Sequence, residues 1–435
     1  MVNGQAVVVG RDSVAVAFDD QRAVADAGLL LPATLAGRLG IEPLVNETVD
    51  LGGRAGGALP GRKVLSLMEG MLAGADSIDD MDVLRSGRTG VVLGHRVMAP
   101  STLGTFLRAF SFGHVRQLDR VLDVALQRAW ATGAGPGDRR LVIDIDSFVG
   151  EVCGYQKQGA AYGYTKQLGY HPLLATRAET GEVVHIRCRK GSANTQRGAK
   201  RFVEELLARV RRAGALGTIL IRADSGFENK QIRQALGERG VQYSIAIKRH
   251  TPVRAAIDAI PEESWQPLAD YPEPGEAQIA ETSLGSERLI VRRVRTLGPQ
   301  DQLFDTWQHF AFVTNRHEAL ERVEAEHRAH AVVELCIRDL KDQALRHFPS
   351  GSYSANSAWT VIAALAHNLG RWATQIGLPD QPPRTAATRR RRLWRIPGRL
   401  TRTARRWTLH LPTGWPWQQD FLAALNRIRA LPAAA

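Results

Sequence analysis

Residues 218–229 read TILIRADSGFEN, and the fold turns on this stretch. TILIR is largely apolar and β-branched, which predicts a buried strand. It runs directly into Asp224, then Ser-Gly. One reading makes Asp224 a turn opener or helix cap, because aspartate accepts backbone N–H bonds and glycine supplies positive φ. The other makes it functional, because open α/β sheets keep their chemistry at the C-terminal edge of parallel strands.

The flanking segments set the strand's place. RRLVIDIDSFV (139–149) alternates and is β-rich, and HPLLATRAETGEVVHIRCR (171–189) reads as two strands around a Glu-Thr-Gly turn. SANTQRGAKRFVEELLARVRRAG (192–214) predicts a helix, with Asn194 or Thr195 as cap and Gly214 past its end. NKQIRQALGERG (229–240) predicts another helix and VQYSIAIK (241–248) another strand. The order β-β-β-α-β-α-β is an α/β pattern with a mixed sheet. The first strand takes the centre and the fourth, TILIRAD, pairs with it in parallel.

Five regions follow from the changes of style. Residues 1–135 are mostly helical in pattern. Within them APSTLGTFLRAF (99–110) is an amphipathic helix with Ser101 or Thr102 as cap, read either as half of a helix-turn-helix or as part of a plain bundle. Residues 139–250 carry the α/β pattern. Residues 251–316 are rich in turns and strand-like pieces such as ERLIVRRVR (287–295) and QHFAFVTN (308–315), a β-rich insertion. Residues 317–375 return to helix: a long charged one over 316–342, then an apolar one over 356–373. Residues 376–435 are Arg-rich.

The chain has 435 residues with 57 Lys+Arg against 44 Asp+Glu, a formal net charge of +13. Such an excess favours polyanionic partners, nucleic acid or an acidic membrane surface. RTAATRRRRLWRIPGRLTRTARRW (384–407) concentrates it, without one acid. A solvated basic arm is the plain reading, but the interleaved Trp394 and Trp407 point to docking, with phosphate contact by Arg389, Arg390, Arg391, Arg392, Arg402 and Arg405. A membrane-surface helix is disfavoured by Pro397 and Gly398 in the middle. The start, MVNGQAVVVGRDS, has no basic segment followed by an apolar one, so no secretion signal is expected. No apolar run is long enough to predict a membrane span. Cys153, Cys188 and Cys336 are far apart and fit reduced thiols in the cytoplasm.

The acidic residues then form a set. Asp144 and Asp146 lie two apart on the first strand, on one face. The parallel pairing brings a first-strand aspartate beside Asp224. Carboxylates held together repel unless a cation lies between them, and two Mg²⁺ ions about 3.5–4 Å apart suit an in-line phosphoryl displacement. Oxygen ligands are what Mg²⁺ takes. On the long helix His327, His330, Glu334 and Lys341 are spaced 3, 4 and 7 apart, one stripe at 3.6 residues per turn. Glu334 there offers a third carboxylate and Lys341 a phosphate contact. A solvated face is the alternative, against which stands the apolar run AVVELCI around Glu334, where an unpaired charge is costly.

Taken together, VIDIDS, GAAYGYTKQLGYHPLL, RADSGF, HRAHAVVELCIRDLKD and FPSGSYSANSAW, with APSTLGTFLR upstream and RIPGRL downstream, resemble the insertion-sequence-1380 family. These are DDE transposases of bacterial insertion sequences, built on a ribonuclease-H-like fold. A broad branch of those enzymes carries Tyr-x2-Arg-x3-Glu-x6-Lys; here the spacing is kept as His327, His330, Glu334 and Lys341, with both Tyr and Arg replaced by His. The resemblance implies a metal triad of Asp146, Asp224 and Glu334, with Asp144 as the alternative first ligand, binding two Mg²⁺ for which Mn²⁺ substitutes. It implies Lys341 at a phosphate and His327 and His330 near the DNA end, where imidazole lacks the guanidinium fork. It also implies recognition of terminal inverted repeats by the N-terminal helices and the basic tail, a homodimer on DNA, and a hairpin intermediate with Trp265 or Trp307 as base-stacking candidates. A DNA-binding regulator without catalysis, or a ribonuclease-H-like nuclease on other substrates, are the rival readings.

Overall fold

The computed structural model describes residues 11–154, 156–163, 166–194, 196–268, 271, 276–295 and 307–434. Thr195 and the first ten residues lie outside them.

A nine-stranded mixed sheet forms the centre. Its strands are β1 (Leu141–Ser147), β2 (Leu173–Arg177), β3 (Val183–Arg187), β4 (Ile219–Ala223), β5 (Gln242–Ala246), β6 (Gln266–Pro267), β7 (Glu276–Leu284), β8 (Glu287–Arg295) and β9 (Gln308–Thr314). The spatial order is β6-β7-β8-β9-β5-β4-β1-β2-β3. β1 pairs antiparallel with β2 and parallel with β4, and β4 pairs parallel with β5. Ile143 and Ile145 of β1 and Ile219 and Ile221 of β4 are all buried, as befits strands covered on both faces, while Asp144, Asp146 and Arg222 interrupt the apolar run. The 266–314 strands do not fold apart. They extend the same sheet, with Val313 of β9 paired to Ile245 of β5.

Around the sheet lie α1 (Leu30–Arg38), α2 (Ile41–Thr48), α3 (Pro60–Ala73), α4 (Pro100–Arg108), α5 (Phe112–Ala129), α6 (Ala199–Arg212), α7 (Lys230–Gly237), α8 (Thr251–Asp258), α9 (Leu320–Arg328), α10 (Val332–Leu340), α11 (Tyr353–Gly377) and α12 (Gln418–Ala430). α4 begins with Ala99 as cap and Pro100 in its first turn, not at Ser101 or Thr102; proline suits that position because its missing N–H would be unpaired there anyway. α6 begins five residues later than Asn194, behind Gly198 at φ 78°. α11 is the hub. Its Asn368 caps the open edge of β3 with two 2.7 Å bonds, Oδ1 accepting from Val183 N–H and Nδ2 donating to Val183 C=O.

Two expectations are corrected. The helix expected over 316–342 is broken: α9 gives way to a 3-10 turn at Ala329–Ala331, then α10, then a π-helical turn at Lys341–Leu345. The basic tail is folded rather than solvated. Leu393, Trp394 and Ile396 are buried in the main core, and α12 adds Phe421, Leu425 and Ile428 to it. Between them β10 (Gly398–Thr403) and β11 (Arg406–His410) form a hairpin whose first strand pairs with Ala23–Val24. One continuous core joins Leu29 in the N-terminal part to Ile428 in the C-terminal helix. Among the described residues no single helix is long and apolar enough to cross a membrane.

Candidate active site

Asp146 stands near the end of β1, and Asp224 follows the last residue of β4. Because Ile145 is registered with Ala223 across the parallel pair, the next residues of the two strands emerge side by side. Ser147 N–H donates to Asp146 Oδ1 at 2.6 Å. Asp224 does cap a short 3-10 turn, its Oδ1 accepting from Gly226 N–H at 3.1 Å. Capping and proximity to Asp146 are therefore compatible.

The electrostatics single out Asp146. Burial, and then the negative charges of Asp224, Glu334 and Asp144, push its carboxyl up to about 7, with the Ser147 N–H acting the other way. Asp224 is also raised by burial, offset by Gly226 N–H, His330, Lys248 and His171. Carboxylates that raise one another in this way are relieved by a cation.

Asp144 has a different partner. It is fully buried, and Arg222 donates to both its oxygens, Nε to Oδ1 at 2.6 Å and Nη2 to Oδ2 at 2.8 Å. Arg222 reaches on to Glu326 C=O at the end of α9. The pair fastens helix to sheet, with both Asp144 oxygens engaged by Arg222.

The two histidines also face inward. His327 Nδ1 meets Ser244 Oγ of β5 at 2.7 Å, and its ring stacks on Phe312 with centroids 3.9 Å apart. Burial, His330, Arg222 and Arg292 hold its imidazole down at about 3, so it is neutral at physiological pH. His330 Nε2 approaches Ile145 C=O at 3.2 Å. The expectation of DNA contact by His327 is thus corrected: it pins α9 to the sheet, and His330 is turned to the strand that bears Asp146.

Glu334 lies in the first turn of α10 and is exposed, contrary to the argument from its apolar neighbours. Val332 and Leu335 beside it are 38% and 49% exposed, while the buried stripe is Val333, Cys336 and Leu340. Lys341 Nζ lies 5.7 Å from the ring of Phe148, just past β1. Asp146 and Asp224 thus end adjacent parallel strands, and Glu334 is near enough to raise Asp146. Among the described residues no three His, Cys, Asp or Glu side chains are gathered closely enough to hold a metal ion. The donor chemistry, carboxylate oxygens that raise one another at Asp146, fits a hard divalent cation.

A model of the family described as Transposase DDE domain group 1 matches residues 6–433. The chain belongs to this family. Membership makes it a DDE transposase, of the enzyme class that moves insertion sequences and other mobile elements, with a divalent-metal-dependent mechanism. A piggyBac transposase in a synaptic complex with hairpin DNA, solved by cryo-EM, is similar with a TM-score of 0.47 and 12% identity, over 86% of this chain and 80% of that one. No curated protein matches.

The transposase uses its tail arginines unequally. Arg389 is 1% exposed, packed near Arg371 and donating to Arg384 C=O; burial and then Arg371 lower it to about 9. Arg390 donates to Asp342 Oδ2 at 2.8 Å, and Arg392 lies 4.9 Å over the Trp417 ring. The expected role of Arg389 and Arg390 as phosphate contacts is corrected: they tie the tail to the core. Arg391, Arg402 and Arg405 are exposed. Trp394 is core, as is Trp265, which stacks on Arg293 at 4.2 Å; Trp307 covers the same guanidinium at 4.5 Å.

Sequence reasoning missed two residues of the site. Arg222, two before Asp224, was visible but unassigned. His171, whose Nε2 meets Ser147 Oγ at 3.0 Å and whose Nδ1 donates to Ala193 C=O at 2.7 Å, carried no local signal.

Proposed function

We propose that the transposase cuts and rejoins DNA at the ends of its own insertion sequence, on a ribonuclease-H-like core of the insertion-sequence-1380 type. The observation that carries this reading is the group of carboxylates at the ends of β1 and β4, where Asp224 and Glu334 raise the Asp146 carboxyl. Asp146, Asp224 and Glu334 would hold two Mg²⁺, or Mn²⁺ in their place. Bound there, the metal supplies charge neutralisation at the scissile phosphate and a more acidic water.

The chain's own groups orient the site. Ser147 N–H holds Asp146 Oδ1 and Gly226 N–H holds Asp224 Oδ1, so each carboxylate is fixed at one oxygen. Lys341 Nζ offers a cation to a phosphate. In hydrolysis a water oxygen bonds to phosphorus as the P–O3′ bond at the element's end breaks, leaving a 5′-phosphate and a 3′-OH. That 3′-OH then attacks a phosphorus of the target strand and displaces the target's own 3′ oxygen, which leaves as a 3′-OH. Two ends must be brought together, which favours a homodimer on DNA. The hairpin step is carried by the resemblance alone.

The test is cleavage of a fragment bearing the gene's flanking ends, with Mg²⁺ or Mn²⁺, by wild type and by Asp224→Asn. Asparagine keeps shape and the Gly226 cap but removes the charge. Specific nicking that falls at least 100-fold in the variant supports the reading. Equal cutting by both removes Asp224 from the site. Binding without cutting by the wild type makes the protein a regulator, and cutting without regard to the ends makes it a nuclease for other substrates.

A further inference from the structure

The C-terminal hairpin has two faces, and only one of them is accounted for. Its register pairs Arg399 with His410, Leu400 with Leu409, Thr401 with Thr408, Arg402 with Trp407 and Thr403 with Arg406, around a two-residue loop, Ala404-Arg405. Side chains alternate between faces along a strand. One face carries Leu400 and Leu409 at the base, packed on Val24 and Ala27. Further out on that face the Arg402 guanidinium lies 5.3 Å over the ring of Trp407, which is 44% exposed.

The opposite face is Arg399, Thr401, Thr403, Arg406, Thr408 and His410, all polar and most of them exposed. No acid occurs between Asp380 and Asp420. At the hairpin's base Asp20 Oδ2 lies 3.6 Å from Arg399 Nε. Threonine and arginine on a wet strand have a plain explanation in β-propensity. That explanation does not cover a tryptophan 44% exposed with Arg402 over its ring, nor the exposed arginines Arg402, Arg405 and Arg406 in a stretch without an acid.

We infer that this hairpin is a second DNA-contacting element, a two-stranded ribbon that enters a groove of the duplex at the element's ends. The inference rests on the transposase reading above. A B-DNA major groove admits a two-stranded ribbon, and arginine, threonine and histidine donate to base edges and phosphates alike. The ribbon's base is fixed by its pairing with Ala23–Val24 and by Leu400 in its own apolar cluster, so it is held in place before DNA arrives. Charge complementarity selects the occupant: a polyanion, and of the polyanions a duplex with a groove.

The experiment uses the full chain and a labelled duplex carrying one flanking end. Affinity is measured from 50 to 300 mM salt for wild type and for Arg399→Ala/Arg402→Ala/Arg405→Ala/Arg406→Ala. Each phosphate contact contributes about 0.9 to the slope of log K against log salt, so losing two to four contacts makes the slope shallower by about 2–3.5 and weakens binding more than tenfold at 100 mM. Thr401→Val/Thr408→Val keeps every charge and the strand propensity; it is expected to keep the slope but reduce preference for the flanking end over random duplex. An unchanged slope in the folded quadruple variant overturns the inference while leaving wild-type DNA binding, and with it the transposase reading, intact. Absence of wild-type DNA binding overturns both. Tighter wild-type binding to phosphatidylserine vesicles than to duplex, lost in the quadruple variant, assigns the ribbon to a membrane instead and overturns it.

Discussion

His327 is a neutral imidazole where a family pattern would place tyrosine, and its use is mechanical. Its pKa in the folded chain is about 3, below the ordinary value near 6.5. Between those two values the unfolded chain takes up a proton that the folded chain refuses. Stability is therefore lost as pH falls from about 6.5 toward 3. We expect His327→Gln to flatten that loss by on the order of 1–2 kcal/mol between pH 7 and pH 5, read from urea unfolding at each pH; parallel curves for the two proteins would rule the effect out. At this scale the sequence was informative but incomplete. The placing of Asp224 and Asp146 at strand ends was legible from the strand pattern. The ion pair that holds Asp144 was not, because its partner, Arg222, lies 78 residues away and is brought into register only by the sheet.

Among the elements, α11 has to solve a problem that the strand pattern alone cannot. β3 ends the sheet, and an open edge leaves backbone groups unpaired. Asn368 answers both groups of Val183 with one side chain. Asn368→Leu leaves a buried N–H and C=O unsatisfied, each costing about 1–3 kcal/mol. We expect a loss of about 2–5 kcal/mol, seen as a lower urea midpoint with the slope unchanged; a change under 1 kcal/mol would mean the edge pairs otherwise. Strand and helix periods made these elements readable. The break at Ala329–Ala331 was not, since nothing in HRAHAV differs from ordinary helix; the turn is set by His330 and Arg222 drawing the backbone onto the sheet.

For the molecule as a whole, the tail belongs to the core. Leu393, Trp394, Ile396, Phe421, Leu425 and Ile428 are all buried. At about 1.5–3 kcal/mol for each large apolar side chain, their sum reaches about 10 kcal/mol, comparable with the whole stability of an ordinary domain. We expect a chain ending at residue 380 to lose its near-ultraviolet circular dichroism and aggregate. A truncated chain that stays soluble and cooperative on melting would show that the tail is an appendage after all. The arginine run hid this, because its charges suggested solvent while single apolar residues between them carried the anchoring.

The pairing of Ala23–Val24 with β10 has a consequence in time. Synthesis proceeds at about 5–20 residues per second, so the first strand waits tens of seconds for its partner to leave the ribosome. Throughout that interval the N-terminal helices lack the surface they are to close on, and the tail that completes them is also the most cationic part of the chain. Folding and a large increment of positive charge therefore arrive together: a half-made polypeptide lacks both the residues that finish its core and the arginines of the 384–407 stretch.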